Sequence, residues 1–221
     1  MEKKSNTKEV IIENAIKLFY ELGYEETTLR KIAAESGFSH VALFSYFKTK
    51  GELAAILIDR YLKSLVQITR DFILNNKLYS DNYIYHYLFY WGIHYKILVA
   101  DKKLSKFYFE FYKNANIEFV GATSNYGKFV FIELFNFKYQ KTEIDMFLDF
   151  TTISNIDVTL AHLCFDNKIT ISKAVKYLLN FLNVMEYFYE NISNEEIDDF
   201  INTNIETLNL DQFDIYQDFL Q

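Results

Sequence analysis

The scarcity of helix-breaking residues constrains the fold of this chain more than any other feature. Its 221 residues include no proline and only six glycines. A sheet needs turns between its strands, and tight turns depend on glycine, proline and Asn-Gly pairs. Helices need far fewer such positions. The sequence therefore predicts an all-α fold, long enough for one domain with a sizeable core or for a small domain joined to a larger one.

Apolar residues recur with helical period along most of the chain. The first predicted helix begins at Ser5 or Thr7 and ends at Leu22, where Gly23 can form a left-handed C-terminal cap. We expect the acidic last part of the chain to pack as a helix rather than to form a solvated tail. The other predicted helices cover residues 29–36, 40–47, 50–75, 82–100, 103–114, 116–139, 143–166, 170–190 and 195–220, the last packing through Ile197, Ile201, Ile205 and Leu208.

Charge is distributed unevenly along the chain. The formal net charge is −7, yet residues 1–60 carry nine basic and nine acidic side chains. Between residues 28 and 50 the basic side chains exceed the acidic ones, with Arg30, Lys31, Lys48 and Lys50 set against Glu35. Salt screens charges beyond roughly 8–10 Å, so this local excess, and not the overall acidity, determines attraction to phosphate.

The same segment has the proportions of a helix-turn-helix motif. Gly37 permits a sharp turn between two short predicted helices, and Thr28 and Ser39 can cap their starts. The second helix must carry small or flat side chains to enter a major groove about 12 Å wide. The alternative is a plain helical hairpin with surface lysines. We expect Phe38, Leu43 and Phe47 to anchor the second helix, and His40, Val41, Ala42, Ser45 and Tyr46 to face outward.

Residues 23–53, GYEETTLRKIAAESGFSHVALFSYFKTKGEL, resemble the N-terminal signature of the TetR family of bacterial transcriptional regulators. The resemblance extends over about residues 8 to 55. The remainder is similar to the family only in length and helical character. The matching positions are Gly23, Tyr24, Thr27, Thr28, Ile32, Ala33, Gly37, Ser39, Leu43, Tyr46, Phe47, Lys48, Thr49, Lys50 and Leu53.

The resemblance implies an N-terminal three-helix DNA-binding domain, residues 1–50, and a larger helical ligand-binding and dimerisation domain, residues 51–221. Thr28 would touch a phosphate, while Tyr46 and Lys50 would hold the DNA backbone. His40 and Ser45 would lie at or near base edges. The implied DNA-binding residues are Thr28, Arg30, Ser39, His40, Val41, Ala42, Phe44, Ser45, Tyr46, Lys48 and Lys50.

Two departures from the family pattern lie on the second helix of the motif. Phe44 stands where the family usually has tyrosine, and phenylalanine cannot donate a hydrogen bond to phosphate. Val41 and Ala42 stand where the family often has a polar pair. These side chains offer only apolar contacts, for instance to thymine methyl groups.

Aromatic residues are concentrated in the middle of the chain. Tyr83, Tyr87, Tyr90 or Trp91, His94 and Leu98 are predicted to share one helical face. Such a stripe is typical of a core, but the polar tips of tyrosine, tryptophan and histidine also suit a ligand pocket. The family resemblance implies a small-molecule cavity in this region. The predicted ligand-binding residues, for an apolar or flat aromatic effector, are Tyr87, Trp91, His94 and Tyr126.

The predicted helix within residues 171–189 has a broader apolar arc than one internal contact needs. A second copy of the chain would cover the surplus, with the segment 143–166 beside it. The alternative is a helix fully buried within one chain. The resemblance implies dimerisation through the last long helices, which agrees with a C2 homodimer.

Signs of other protein classes are missing from the sequence. It contains no phosphate-binding glycine loop, no HExxH motif and no Cys–His cluster, so we expect neither catalysis, cofactor nor metal. We expect no signal peptide and no membrane span, and the single Cys164 is typical of a reducing compartment such as the cytoplasm. The sequence predicts a homodimeric, ligand-responsive repressor of a palindromic operator. The alternative is a helical small-molecule carrier whose helix-turn-helix no longer binds DNA.

Overall fold

A computed structural model describes residues 2–76, 82–114, 142–184 and 192–213. The described residues are helical and contain no strand, which confirms the predicted all-α fold. A π-helical turn, Asn202–Glu206, and a 3-10 turn, Leu210–Gln212, follow the last α-helix. The α-helices are α1 Glu2–Leu22, α2 Leu29–Glu35, α3 His40–Phe44, α4 Lys50–Asn75, α5 Tyr83–Ala100, α6 Lys102–Asn114, α7 Glu143–Phe165, α8 Ile171–Val184 and α9 Asn194–Ile201.

Three predicted helices differ in extent from the observed ones. Helix α1 begins at Glu2, before the predicted start at Ser5 or Thr7. Helix α3 ends at Phe44 and continues to Phe47 only as a turn. The single helix predicted for residues 195–220 is wrong, because the α-helix ends at Ile201 and the chain leaves helical geometry after the π turn. Asn209 then accepts a hydrogen bond from the backbone of Asp211, a local alternative to helical pairing. The helix predicted at 116–139 lies outside the described residues.

One compact unit contains residues 2–61 together with 101–114 among the described residues. Helix α1 packs on α2 and α6, and α2 packs on α3. The ring of Phe19 in the centre of α1 lies 6.0 Å from that of Tyr24 and 5.4 Å from that of Phe107. Helix α6 therefore shares its core with the N-terminal helices. The domain boundary predicted at residue 50 stays a prediction. The first compact unit continues past that residue to Tyr61.

The second compact unit contains residues 62–76, 82–100, 142–184 and 192–213. Helix α5 lies at its centre and packs against α7, α8, α9 and the π turn. Most of its side chains are buried, and they lie on every side of the helix, so its buried surface extends beyond the predicted aromatic face. Gly92 on α5 permits Ile201 and Ile205 to pack closely against it, because a Cβ atom at this position would lie 2.8 Å from Ile205 and 3.1 Å from Ile201.

The acidic segment after α8 is held against α5. Ile197, Ile201 and Ile205 are buried, as predicted, while Leu208 is half-buried. The ammonium of Lys96 on α5 donates hydrogen bonds of 2.6–2.8 Å to the carbonyl oxygens of Ile205, Glu206 and Leu208. A cation thus satisfies the carbonyls at the C-terminal end of the helical segment. Where the structure describes the chain, no helix is both long and apolar enough to span a bilayer.

Candidate functional site

The turn between α2 and α3 is set by Gly37, whose φ of 73° lies in the left-handed region. The amide of Phe38 donates to Ala33 O at 2.9 Å, and the amide of Gly37 donates to Ala34 O at 3.2 Å. This pair of bonds is the Schellman motif, which closes a helix with a left-handed residue. The sequence therefore places α3 in a fixed direction relative to α2.

Side-chain caps fix the starts of both helices. Thr28 Oγ1 accepts a hydrogen bond from the Lys31 amide at 3.2 Å, and Ser39 Oγ accepts one from the Ala42 amide at 3.1 Å. Both capping residues are exposed. Thr28 and Ser39 thus cap the starts of α2 and α3, as the sequence predicted.

Helix α3 is anchored on one side and open on the other. Leu43 is fully buried, Phe47 is 4 % exposed, and Phe38 is half-buried. On the open side Val41 is 80 % exposed and Phe44 44 % exposed. The other predicted contact residues are distributed as follows: His40, Ser45, Arg30 and Lys48 are exposed, while Ala42, Tyr46 and Lys50 are half-buried.

The polar groups at the end of α3 bond to its own backbone. Ser45 Oγ donates to Ala42 O at 2.7 Å. Lys48 Nζ donates to Phe44 O at 2.8 Å and lies 4.9 Å from the centroid of the Phe44 ring. The ammonium of Lys48 thus satisfies a terminal carbonyl of α3 and remains exposed to an incoming anion.

Lys50, expected to hold the DNA backbone, bonds within the protein. Its ammonium donates to the carbonyls of Tyr24 at 2.7 Å, Thr27 at 3.2 Å and Glu25 at 3.4 Å. Burial lowers the pKa of Lys50, while the charges of Glu110 and Glu25 oppose that change. To reach a phosphate, this ammonium would have to leave three carbonyl oxygens. The side chain therefore positions the loop between α1 and α2.

Helix α6 supports the same loop. Glu110 accepts a hydrogen bond from the amide of Glu25 at 2.8 Å, and Lys106 donates to the carbonyl of Leu22 at 2.8 Å. Lys113 pairs with the carboxylate of Glu25 at 3.0 Å, and this pair lowers the pKa of Glu25. Sequence reasoning missed these contacts because the partners are more than 80 residues apart.

The second compact unit contains the predicted ligand-binding residues of α5. Trp91 has its ring centroid 6.3 Å from Tyr87, 5.7 Å from His94 and 6.1 Å from Tyr95. All four side chains are at most 7 % exposed. The structure thus brings Tyr87, Trp91 and His94 together, whereas Tyr126 lies outside the described residues. The indole Nε1 of Trp91 has no hydrogen-bond partner among the described residues.

A carboxylate that the sequence analysis did not single out lies beside this cluster. Asp157 on α7 is 4 % exposed, and its Oδ1 atom lies 3.3 Å from His94 Nε2. Burial, and secondarily the charge of Asp157, raise the pKa of Tyr87 and Tyr95 well above the usual value. We define Tyr87, Trp91, His94, Tyr95 and Asp157 as the buried polar cluster. Helical spacing on α7 places Asp157 inward, but sequence alone does not reveal its partner on α5.

Helices α7 and α8 enclose an open, mostly apolar groove of about 640 Å³. Ile144 and Leu148 lie on α7 but do not line the groove, and they are 72 % and 56 % exposed. Tyr177, which lines the groove, is 63 % exposed. The groove is lined by Thr152, Asn155, Ile156, Thr159, Leu160, Leu163, Ile169, Lys173 and Tyr177.

Residues 11–56 match the family model described as bacterial regulatory proteins, tetR family. This segment is similar to the helix-turn-helix domain of that family. The match confirms the resemblance read from the sequence, and it extends from the middle of α1 through α2 and α3 to the start of α4. Regulators with such a domain use its helix-turn-helix to bind DNA, so the match indicates a DNA-binding regulator.

Two solved structures show a distant likeness to this chain. A putative TetR-family transcriptional regulator from Syntrophomonas wolfei has 16 % identity and a TM-score of 0.47, with 86 % of this chain and 100 % of that chain covered. The fatty acid degradation regulator FadR from Bacillus halodurans has 18 % identity and a TM-score of 0.43, with 80 % and 94 % covered. None of the curated proteins compared with the chain matches it.

Proposed function

We propose that the chain is a homodimeric, ligand-responsive repressor that binds a palindromic operator and has no catalytic role. The observation that supports this most strongly is the open face of α3. Its anchors Leu43 and Phe47 are buried, while His40, Val41 and Phe44 are exposed, within a segment that matches the TetR family. This combination is what major-groove recognition requires of a short helix.

In the proposed complex, base edges and phosphates are contacted by different residues. His40 on α3 and Ser45, its C-cap, face base edges, because both are exposed and carry polar atoms. The Ser45 hydroxyl donates to Ala42 O, so it meets a base as an acceptor. Thr28, Arg30, Tyr46 and Lys48 contact phosphates around the groove. Lys50 contributes indirectly, because it holds the loop that leads into α2.

The groove between α7 and α8 supports the dimer. Apolar side chains such as Ile144, Leu148 and Tyr177 are exposed in the single chain, and contiguous exposed apolar surface marks interaction sites. A second copy related by a two-fold axis covers this groove with its own α7 and α8. The same axis sets two α3 helices in successive major grooves, about 34–36 Å apart.

The buried polar cluster supports the effector site. The rings of Tyr87, His94 and Tyr95 lie next to that of Trp91, and His94 contacts the carboxylate of Asp157. A flat aromatic effector with a polar group matches such a lining. An effector that prefers the DNA-free dimer by roughly 1–3 kcal/mol lowers operator affinity about 5- to 150-fold.

Selection of bound duplexes from a random DNA pool tests the proposal. We expect enrichment of an inverted repeat whose half-sites are one helical turn apart. His40→Ala and Ser45→Ala variants are expected to relax base preference at one position per half-site, whereas Lys31→Ala is the control, because Lys31 belongs to α2. If no sequence is enriched although a ligand changes the fluorescence of Trp91, the alternative function of a small-molecule carrier is favoured over that of a regulator.

A further inference from the structure

We infer that Val41 and Phe44 read the 5-methyl groups of thymines, so that each operator half-site carries thymines at the base pairs facing these two residues. The inference rests on the proposed function, because it assumes that α3 enters the major groove. It adds the class of base that α3 selects and the two side chains that select it.

Val41 and Phe44 form one apolar patch. They are 80 % and 44 % exposed and lie three residues apart, which places them on the same side of the helix. Neither side chain carries a polar atom, so neither can hydrogen-bond to a base edge. The ring of His40 lies 6.1 Å from that of Phe44 and borders the patch on its N-terminal side.

The polar groups nearest the patch are occupied by the backbone of α3. The hydroxyl hydrogen of Ser45 is donated to Ala42 O, and the ammonium of Lys48 donates to Phe44 O. Lys48 also lies 4.9 Å from the centroid of the Phe44 ring, which holds the ring beside a positive charge. The contact surface at this point is therefore apolar, with a cation at its edge that suits a neighbouring phosphate.

Only one of the four standard bases presents an apolar group in the major groove. Guanine, cytosine and adenine present hydrogen-bond donors or acceptors there. Thymine presents a 5-methyl group as well as its O4 acceptor. An apolar side chain set against any of the other three bases would remove polar atoms from water without replacing their hydrogen bonds. Burial of one methyl group against Val41 or Phe44 favours binding about fourfold.

Replacement of thymine by deoxyuridine tests the inference, because it removes the methyl group and leaves the base-pairing and hydrogen-bonding pattern intact. The full-length protein is titrated with its selected operator and with copies in which single thymines are replaced by deoxyuridine. We expect affinity to fall about fourfold at the positions that face Val41 and Phe44. Thymines elsewhere in the operator serve as internal controls.

Val41→Ala and Phe44→Ala variants identify the side chains responsible. Each variant should bind the thymine operator more weakly and should no longer distinguish thymine from deoxyuridine at its own position. The matched control is Leu74→Ala, since Leu74 is 76 % exposed and lies outside α3. Thermal unfolding verifies that all three variants fold, which is expected for substitutions at exposed positions.

Different failures have different meanings. If the protein selects an operator but deoxyuridine changes its affinity at no position, the inference is overturned and operator binding stands. The inference is also overturned if Val41→Ala and Phe44→Ala retain the full difference between thymine and deoxyuridine. If no duplex is selected at all, the proposed function and this inference both fail.

Discussion

The ammonium of Lys50 donates a hydrogen bond to the carbonyl of Tyr24 at 2.7 Å and lies 4.1 Å from the centroid of the ring of the same residue. The first turn of α4 is thereby fastened to the loop between α1 and α2. That loop ends at Thr28, which caps α2. The position of the helix-turn-helix thus depends on Lys50, for which the family resemblance implied a contact with the DNA backbone.

Lys50→Ala should lower protein stability as well as DNA affinity. Loss of hydrogen bonds to a charged donor costs about 1–3 kcal/mol, which for a chain of this size lowers Tm by several degrees. Lys48→Ala is the matched comparison. Because Lys48 is exposed and bonds to one carbonyl instead of three, its loss should lower Tm less, while it reduces the salt dependence of DNA binding by about one unit. Thermal unfolding and salt titration of both variants measure the difference. Equal Tm values for Lys50→Ala and the wild type would contradict the positioning role.

Gly23→Ala should destabilise the protein more than Gly37→Ala. Both glycines have positive φ, 85° and 73°, so alanine at either position costs about 1–2 kcal/mol of backbone strain. At Gly23 the new Cβ would also lie 2.6 Å from the Glu110 carboxylate, whereas at Gly37 nothing lies within 4 Å. Denaturant unfolding of the two variants isolates the cost of that contact. Identical losses would mean that Glu110 moves aside freely.

Cys164 should react slowly with thiol reagents in the native protein. Burial raises the pKa of its thiol from 9.0 to about 12, and the side chain is 3 % exposed. The pKa of this thiol is higher in the folded state than in the unfolded state. The contribution of Cys164 to the free energy of unfolding is therefore complete below about pH 9 and is lost as the pH rises towards 12. Cys164 is the only cysteine, so the rate of labelling at pH 8 with and without denaturant reads this site alone. Rapid labelling of the native protein would contradict its burial.

An effector that binds the buried polar cluster should change the fluorescence of Trp91, the single tryptophan, and lower operator affinity. Asp157→Asn should weaken an effector that donates a hydrogen bond to the carboxylate, by roughly tenfold for a charge-assisted bond. Tyr177→Phe is the control, because Tyr177 is exposed in the groove between α7 and α8 and does not belong to the cluster. Flat aromatic compounds can be titrated with operator DNA present and absent. If every compound that perturbs Trp91 leaves operator affinity unchanged, the switch is refuted.

A charge in or beside the groove between α7 and α8 should dissociate the proposed dimer. Leu148→Lys and Tyr177→Lys would bury an unpaired ammonium in the proposed interface, raising the dimer dissociation constant at least tenfold, or about 1.4 kcal/mol. Leu74→Lys is the control at an exposed position outside the groove. Sedimentation equilibrium of the three variants measures the change. A dimer unaffected by both groove substitutions would place the interface elsewhere.

Local patterns account for the parts of this fold that the sequence could predict. Apolar period placed α4 at Lys50–Asn75, and a glycine between two capped helices located the turn at Gly37, because such features involve neighbours along the chain. The contact between Glu25 and Glu110 joins residues 85 positions apart, and no local signal specifies such a pair. For the same reason, the sequence suggested a phosphate contact for Lys50 and did not reveal Asp157 beside His94.

Binding to the selected operator, compared with a scrambled duplex of the same length and at the same salt concentration, tests the central claim most directly. A regulator that reads bases through α3 should prefer the operator by at least about a thousandfold. The preference should shrink for His40→Ala and survive for Leu74→Ala. Equal affinity for both duplexes, or no binding to either, would contradict the account.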